Sequence, residues 1–308
     1  MQSRSTQLPD GVTVFERGWL SANNILIKGP EHCTFVDSGY VTHAPQTLAL
    51  VTAALGNRPL DLLLNTHLHS DHCGGNASLQ MQYPALRVEV PPGDAGAVER
   101  WDEDALSFRV TGQQCPRFRL DGLLMPGTER QLGTAVWQVH GAPGHDPHSV
   151  LFFEPETRTL ISADALWENG CGVVFPELTG EPSFDEVAST LDLIESLAPA
   201  RVIPGHGAVF DDAAAALAVA RKRLSGLAAN PSKHAWHALK VLVKFKLLEA
   251  RHLSIHEWRS WCLATPYFEL IRARFFAEES FDTVIDEVLA DLVRSGAAHR
   301  SDDTIYDA

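Results

Sequence analysis

Apolar and polar positions alternate along most of this chain in the pattern of a layered α/β fold. Apolar residues recur at helical spacing in 45–55 and in 184–197, and the first of these segments stops at Gly56. Short apolar runs bounded by turn residues predict strands at 12–15, 24–27, 34–36, 61–64, 86–90, 134–139, 150–153, 159–161 and 200–203. Repeats of strand, helix and strand favour sheets covered by helices.

The pattern changes after Asn230-Pro231-Ser232, which is the clearest boundary in the chain. Apolar periodicity beyond it predicts helices at 235–250, 255–264 and 281–295, and residues 297–306 resemble a small β wing. We therefore predict two domains, residues 1–229 and residues 230–308. The second is expected to be helical and winged-helix-like, and either to pack over the mouth of a site or to mediate dimerisation.

Composition restricts the classes of partner and compartment. The formal net charge is −14, and residues 231–308 hold ten Lys or Arg against twelve Asp or Glu, so nucleic acid is disfavoured as a partner. The five cysteines are scattered and form no Cys-x-x-Cys pair, which is typical of a reducing cytoplasm. The N-terminus lacks the apolar stretch of a secretory signal, and no run reaches the length of a membrane span. We expect a cytoplasmic protein with a small-molecule substrate, and a homodimer stays open.

One stretch concentrates side chains that bind metals. The apolar run 60–64, interrupted only by Asp61, predicts a buried strand, and three histidines and an aspartate follow it within six positions. Residues two apart in an extended segment point to the same side, so these groups can share one pocket. A polar loop that is merely rich in histidine is the alternative. Bringing four such side chains together without a cation would cost desolvation with nothing in return. They are His67, His69, Asp71 and His72.

The motif His-x-His-x-Asp-His after an apolar strand resembles the signature of the metallo-β-lactamase-fold hydrolases. The resemblance implies a four-layer αββα sandwich and further ligands at later strand ends. In a Pro-Gly-His segment His145 matches the family position best, with His140 and His148 as competitors. Asp164 follows a strand as the family's bridging aspartate does, and His206 lies in Pro-Gly-His-Gly at the end of another strand.

By this resemblance two divalent metal ions share the site. Zinc is the default for nitrogen and oxygen ligands, and iron or manganese would also suit them. Asp71 is expected to orient the attacking water as well as to bind metal, and Asp37, in a Val-Asp-Ser-Gly segment, to support a ligand. The implied ligand sets are His67, His69 and His145 for one metal, Asp71, His72 and His206 for the other, and Asp164 as the bridge.

The reaction implied by the resemblance is hydrolysis by a metal-bridging hydroxide. Family β-lactamases that use a cysteine ligand carry it where this chain has Asp164, so the aspartate points to glyoxalase-II-like, lactonase-like or phosphodiesterase-like members. With no basic cluster suited to glutathione or RNA, a small carboxylic ester, thioester or lactone is favoured as substrate. A phosphodiesterase or ribonuclease of the same fold, and a non-catalytic metal-binding protein, are the alternatives.

Two further segments carry predictions. Residues 167–176 are rich in glycine, contain two aromatic side chains and leave directly from Asp164, so they either line the mouth of the site or simply connect two elements. Cys171 within them has no activating partner and is expected to be a spectator. Ser183 and Glu186 have the spacing of a capping box at the start of the helix 184–197.

Overall fold

The computed structural model describes residues 8–308, in which two sheets face each other. The first sheet has six strands in the order β1 to β6, antiparallel at β1–β2–β3 and parallel from β3 to β6. Its parallel strands end at the same edge, so the loops that follow them meet there. The strands are β1 (Val12–Phe15), β2 (Asn24–Lys28), β3 (Cys33–Val36), β4 (Leu62–Leu64), β5 (Arg87–Val90) and β6 (Gly122–Leu123).

The second sheet has five strands in the order β11-β10-β9-β8-β7. All pairs are antiparallel except β10 with β11, which run parallel. Every residue of β9 and β10 is buried, as expected for central strands covered on both faces. The strands are β7 (Glu129–Leu132), β8 (Ala135–Gly141), β9 (Val150–Glu154), β10 (Thr159–Ala163) and β11 (Arg201–Pro204).

Helices cover the outer face of each sheet. They are α1 (Ala44–Leu55), α2 (Ser70–Cys73), α3 (Asn76–Gln82), α4 (Ala95–Arg100), α5 (Phe175–Thr179), α6 (Ser183–Leu197) and α7 (Ala213–Ala228). Trp137 and Phe152 belong to a core between the sheets, whereas Leu63 packs with α1 and α3, and Leu160 with α6 and α7. These three buried clusters separate four layers, so the predicted αββα sandwich is confirmed. No helix of residues 8–308 is both long and apolar enough to cross a membrane.

The segment after α7 is a helical bundle with a small sheet. It contains α8 (Pro231–Ala250), α9 (Ile255–Ala264), α10 (Pro266–Phe275) and α11 (Phe281–Arg294), with β12 (His252–Ser254), β13 (Ala298–Ser301) and β14 (Thr304–Asp307). The strands form a three-stranded sheet in the order β12-β14-β13, which confirms the predicted wing. The bundle core also takes in Val173 and Leu178 of the preceding segment, so the bundle packs directly on the sandwich.

Some predicted boundaries and one cap were wrong. Helix α8 begins at Pro231 rather than at 235, because Asn230 caps it by accepting a hydrogen bond from the backbone of Lys233 (3.0 Å). The capping box at Ser183 is absent, because Ser183 already lies inside α6 and Pro182 takes the N-cap position. A carboxylate from α5 supplies the missing acceptor: Glu177 is hydrogen bonded to the backbone N–H of Phe184 (3.0 Å).

Candidate metal centre

Three histidine rings converge in the first of two polar groups. His67 and His69 lie on the loop after β4, and His145 lies on the loop between β8 and β9. The Nδ1 atom of His69 is 3.1 Å from Nε2 of His67 and 2.9 Å from Nε2 of His145. Three nitrogens tetrahedrally bound to one zinc ion at about 2.0–2.1 Å would be roughly 3.3 Å apart, so this spacing fits a shared cation.

The hydrogen bonds of two of these rings aim unprotonated nitrogens into the group. His145 donates from Nδ1 to the carbonyl of Val173 at 2.6 Å, which leaves its Nε2 as the lone-pair atom. Nδ1 of His67 lies 3.1 Å from the Thr66 hydroxyl, which itself donates to Asp37, so His67 donates there and its Nε2 is free as well. Facing lone pairs repel each other unless a cation lies between them.

Burial keeps the rings of this group neutral. Burial, together with the neighbouring histidines, lowers the pKa of His67 well below the ordinary value and that of His145 to about 4. A neutral imidazole is the form that binds a metal, so the environment preserves the ligand state of these side chains around neutral pH.

The second group combines two carboxylates with two histidines. Nε2 of His206 is 3.0 Å from Oδ2 of Asp71, and Nε2 of His72 is 3.4 Å from Oδ1 of Asp164. Nε2 of His72 is buried and has no hydrogen-bond partner among residues 8–308. An orphaned nitrogen of this kind costs free energy unless a ligand satisfies it. Together with the donor set, it shows that these residues fit a divalent cation.

Asp164 lies between the two groups. Its Oδ2 is 3.4 Å from Nε2 of His145, while its other oxygen approaches His72 of the second group. Trp167 donates from its indole nitrogen to Oδ1 of Asp164 at 3.2 Å, which helps to orient the carboxylate. One carboxylate can therefore serve both groups, because each of its oxygens faces a different one.

Asp37 supports His72 from below, as expected from the sequence. Its Oδ2 accepts a hydrogen bond from Nδ1 of His72 at 2.8 Å, and its Oδ1 accepts one from the backbone N–H of Thr66 at 2.9 Å. Asp37 adopts a left-handed backbone conformation with φ 56° at the end of β3. This conformation is costly for a residue with a side chain, and it is held by the contacts that orient His72.

The carboxylates of the second group are held ionised. Burial acts to raise the pKa of Asp71 and of Asp164, but His72 and His206 outweigh it, so both pKa values are lowered. Burial likewise acts to lower the pKa of His72, and Asp164 and Asp37 outweigh it, so that pKa is raised. The site attracts positive charge.

All seven predicted ligand positions therefore occur in two adjacent groups, although they come from distant parts of the chain. The two competing histidines lie elsewhere. His140 is hydrogen bonded to Gln138 (3.3 Å), and Nε2 of His148 is 4.0 Å from a carboxylate oxygen of Asp94. Cys171 is buried, and burial raises the pKa of its thiol, which agrees with a spectator role.

A cavity of about 410 Å³ opens onto both groups. Its walls include Trp19 and Trp167 beside His206, Val173 and Phe175 after Asp164, and one face of α8. Residues of the segment 107–113, Arg223 and Tyr267 complete the lining. Residues 167–176 thus line the mouth of the site, as one reading of the sequence predicted. The contribution of α8 was predicted only as packing over the mouth of the site.

The family model of the metallo-beta-lactamase superfamily matches residues 17–206, which contain all seven side chains. The chain belongs to this superfamily. Within it, the two groups suggest a pair of divalent metals, one beside the other.

Relatives within the superfamily match parts of the chain. A hydroxyacylglutathione hydrolase of Trichormus variabilis is 31% identical over 159 residues, which are 50% of this chain and 50% of that protein. An atrochrysone carboxyl ACP thioesterase of Aspergillus fumigatus is 26% identical over 216 residues, 63% of this chain and 43% of that one. The chain thus spans about half the length of the curated relatives that it matches.

Two solved structures of the same superfamily fold extend the comparison. The metallo-beta-lactamase family protein TTHA1429 from Thermus thermophilus aligns with a TM-score of 0.56 at 20% identity, covering 98% of this chain and 100% of that one. TTHA1623, solved in a di-iron-bound form, aligns with a TM-score of 0.52 at 29% identity, covering 68% and 96%. The first alignment includes the C-terminal bundle, so the whole architecture has a precedent.

Proposed function

We propose that this protein is a metal-dependent hydrolase that holds one divalent cation in each group and cleaves a small carboxylic ester, thioester or lactone. The observation that carries the proposal is the convergence of ring nitrogens from His67, His69 and His145 beside the orphaned Nε2 of His72. His67, His69 and His145 would hold the first cation, Asp71, His72 and His206 the second, and Asp164 would contact both.

The cations and the side chains of the protein would contribute different parts of the reaction. When bound, a pair of divalent cations supplies an acidified water as nucleophile and a Lewis acid for the substrate carbonyl. The ionised carboxylate of Asp71 orients the attacking water by accepting a hydrogen bond from it. Trp167 and Asp37 hold the carboxylate of Asp164 and the ring of His72 in place, so these groups need not reorganise during the reaction.

The cavity and the relatives support an acyl substrate. Aromatic and aliphatic side chains dominate the lining near the two groups, which suits the apolar part of an ester or thioester. One relative is named a thioesterase and another a hydroxyacylglutathione hydrolase. We propose zinc as the metal, because the donors are nitrogen and oxygen atoms. Iron and manganese are the other choices, and a 29% identical neighbour solved in a di-iron-bound form supports iron.

Metal analysis combined with a substrate panel tests the proposal. The purified chain is expected to bind two equivalents of divalent metal and to hydrolyse thioesters, lactones or carboxylic esters in preference to phosphodiesters. His145→Ala and His206→Ala should each lose one equivalent, and Asp164→Asn should weaken both sites. His148→Ala is the matched control, because that histidine lies outside both groups and should keep full metal content. A wild-type chain that binds metal but cleaves only phosphodiesters would contradict the acyl assignment.

The division at residues 229 and 230, a cytoplasmic location and homodimer formation stay predictions from the sequence. A homodimer would be detected by light scattering of the full chain.

A further inference from the structure

Two faces of helix α8 contact different parts of the protein. One face is buried in the C-terminal bundle and includes Leu239, Leu242 and Leu247. The other face forms the roof of the cavity over the candidate metal centre. It presents His237, Val241, Lys244, Phe245 and Leu248, which recur at intervals of three and four residues.

Among residues 8–308, two cationic side chains line this cavity, Lys244 and Arg223; the rest of the lining is mainly apolar away from the two polar groups. Lys244 is fully engaged, because its ammonium group lies 2.6 Å from a carboxylate oxygen of Asp307 and 2.8 Å from the carbonyl of Ala297. Arg223, on α7, has no carboxylate within 4 Å among residues 8–308, whereas Arg221, two positions earlier, is paired with Asp192 and Glu195. A half-buried guanidinium without a counter-ion is costly to keep.

One neighbour fixes the orientation of this guanidinium. Nη2 of Arg223 donates to Nε2 of His237 at 2.8 Å, and its other N–H groups have no acceptor among residues 8–308. Burial and, to a smaller extent, the charge of Arg223 together lower the pKa of His237 to about 4, so the imidazole is neutral and accepts this bond. The pair therefore carries one positive charge and several free donors.

The guanidinium lies beside the loop that leaves the metal centre. A Cβ atom added to Gly170 would be 3.2 Å from both Cδ and Nη1 of Arg223, so the arginine packs against the backbone there. Two residues later Gly172 donates its backbone N–H to the carbonyl of Asp164 at 3.0 Å. The unpaired charge and the reacting centre thus share one cavity wall.

We propose that Arg223 is a specificity-determining residue that binds a carboxylate at the far end of the substrate. The substrate is then an ester or thioester with an apolar middle, which lies against Val241 and Phe245, and a second group that is anionic. This inference rests on the proposed hydrolase function. Charge complementarity supports it, because Arg223 is the cationic side chain of the cavity lining that has no carboxylate partner among residues 8–308, whereas Lys244 is paired with Asp307. A planar guanidinium also matches a carboxylate through two parallel hydrogen bonds.

Matched pairs of substrates test the inference. The pairs are the mono-4-nitrophenyl esters of succinic, glutaric, adipic and suberic acid and their methyl-capped, neutral counterparts. At one chain length the wild-type protein should prefer the charged ester. Arg223→Gln should raise KM for it roughly 10- to 100-fold, the equivalent of a lost charge-assisted hydrogen bond, and leave the neutral ester unchanged. Arg223→Lys should keep part of the preference.

Arg221→Gln is the matched control, because Arg221 lies on the same helix and is paired at the surface with Asp192 and Glu195. It removes the same charge and should change neither substrate. Equal hydrolysis of charged and neutral esters at every chain length would overturn the inference but not the hydrolase function. An equal loss of activity on both esters in Arg223→Gln would have the same meaning.

A binding measurement tests the role of Arg223 even if the protein hydrolyses none of these esters. Trp19 and Trp167 line the cavity, so their fluorescence reports on its occupancy. Monomethyl adipate should quench this signal at lower concentration than dimethyl adipate, and Arg223→Gln should abolish the difference. If the carboxylate bound the metals instead, the difference would survive in Arg223→Gln, and the inference would be wrong. If the wild-type protein hydrolysed no ester but still bound monomethyl adipate more tightly than dimethyl adipate, only the proposed hydrolase function would be overturned.

Discussion

Oδ2 of Asp37 lies 2.8 Å from Nδ1 of His72, and this contact decides which nitrogen of the imidazole faces the metal centre. A carboxylate only accepts hydrogen bonds, so Nδ1 of His72 carries a proton and Nε2 is the nitrogen that faces Asp71 and Asp164. The orientation of one proposed ligand therefore depends on a residue 35 positions earlier in the chain.

Asp37→Asn should weaken metal binding without unfolding the protein. If the amide oxygen keeps the bond from Thr66, its NH₂ group faces Nδ1 of His72, which must then accept and move its proton to Nε2. We expect the affinity for the second cation to fall about 10- to 100-fold, measured by competition with a chelator. Asp61→Asn is the control, because Asp61 also accepts a backbone hydrogen bond (from Cys33, 2.8 Å) but lies away from the centre. Unchanged affinity in Asp37→Asn would contradict this role.

Gly172→Ala should damage the first group. A Cβ atom at this position would be 2.3 Å from Nδ1 of His145, whose ring is fixed by its bond to the carbonyl of Val173. We expect loss of one metal equivalent, measured by elemental analysis of the dialysed protein. Gly226→Ala is the control, since nothing lies within 4 Å of a Cβ there, and alanine in that helix should stabilise the fold by about 0.5–1 kcal/mol. Full metal content in Gly172→Ala would show that the ring can move.

The stability of the protein should depend on the ionisation of Asp94. Burial, helped by Asp146, raises the pKa of Asp94 from 3.8 to about 8, and its Oδ2 has no hydrogen-bond partner among residues 8–308. Because the folded state holds this proton more tightly than the unfolded state, the contribution to stability is full below about pH 4 and is lost as the pH rises towards about 8.

Asp94→Asn should therefore raise the melting temperature at pH 8, and the difference from wild type should vanish near pH 4. The side chain makes no capping bond at the start of α4, so the amide removes the titration without removing a cap. Thermal melts across this pH range measure the effect, with the exposed Asp10→Asn as control. A stabilisation that is the same at both pH values would rule out titration as the cause.

A chain ending at residue 229 should keep both metals but lose its cavity roof. All seven proposed ligands precede that residue, while Val173, Phe175 and Leu178 pack against the bundle and would be exposed to water. We expect a lower melting temperature and strong binding of a hydrophobic dye, together with normal metal content by elemental analysis. Failure of this shortened chain to bind metal would contradict the predicted domain division.

The apolar runs predicted buried strands and a layered α/β fold, and the cluster His67–His72 predicted a metal site. The four-layer sandwich and the ligand positions at later strand ends were implied by the family resemblance that this cluster carries. Helix α10 was missed because Thr265-Pro266 looks like a helix stop, whereas proline is tolerated in the first turn, where its missing N–H is not needed. The capping box failed for a related reason, since a pattern of two residues does not fix which of them begins the helix.

Arg223 had no local signal at all. Three consecutive basic residues, Arg221-Lys222-Arg223, are typical of a helix surface exposed to solvent. Arg221 fits that interpretation, because it forms surface ion pairs with Asp192 and Glu195. Only the packing of α8 beside α7 places the third against His237 and inside the cavity. Such a residue becomes visible only when the tertiary structure is known.

Because one face of α8 packs in the bundle core and the other lines the cavity, the shape of the cavity depends on residues of the bundle that do not line it. Because protein cores are closely packed, a change of side-chain volume in the bundle core, at Trp258 or Ile285 for example, would displace α8 and with it Phe245 and Val241, which line the cavity. Natural variation in this bundle can therefore alter which molecules fit the cavity while every proposed metal ligand stays the same.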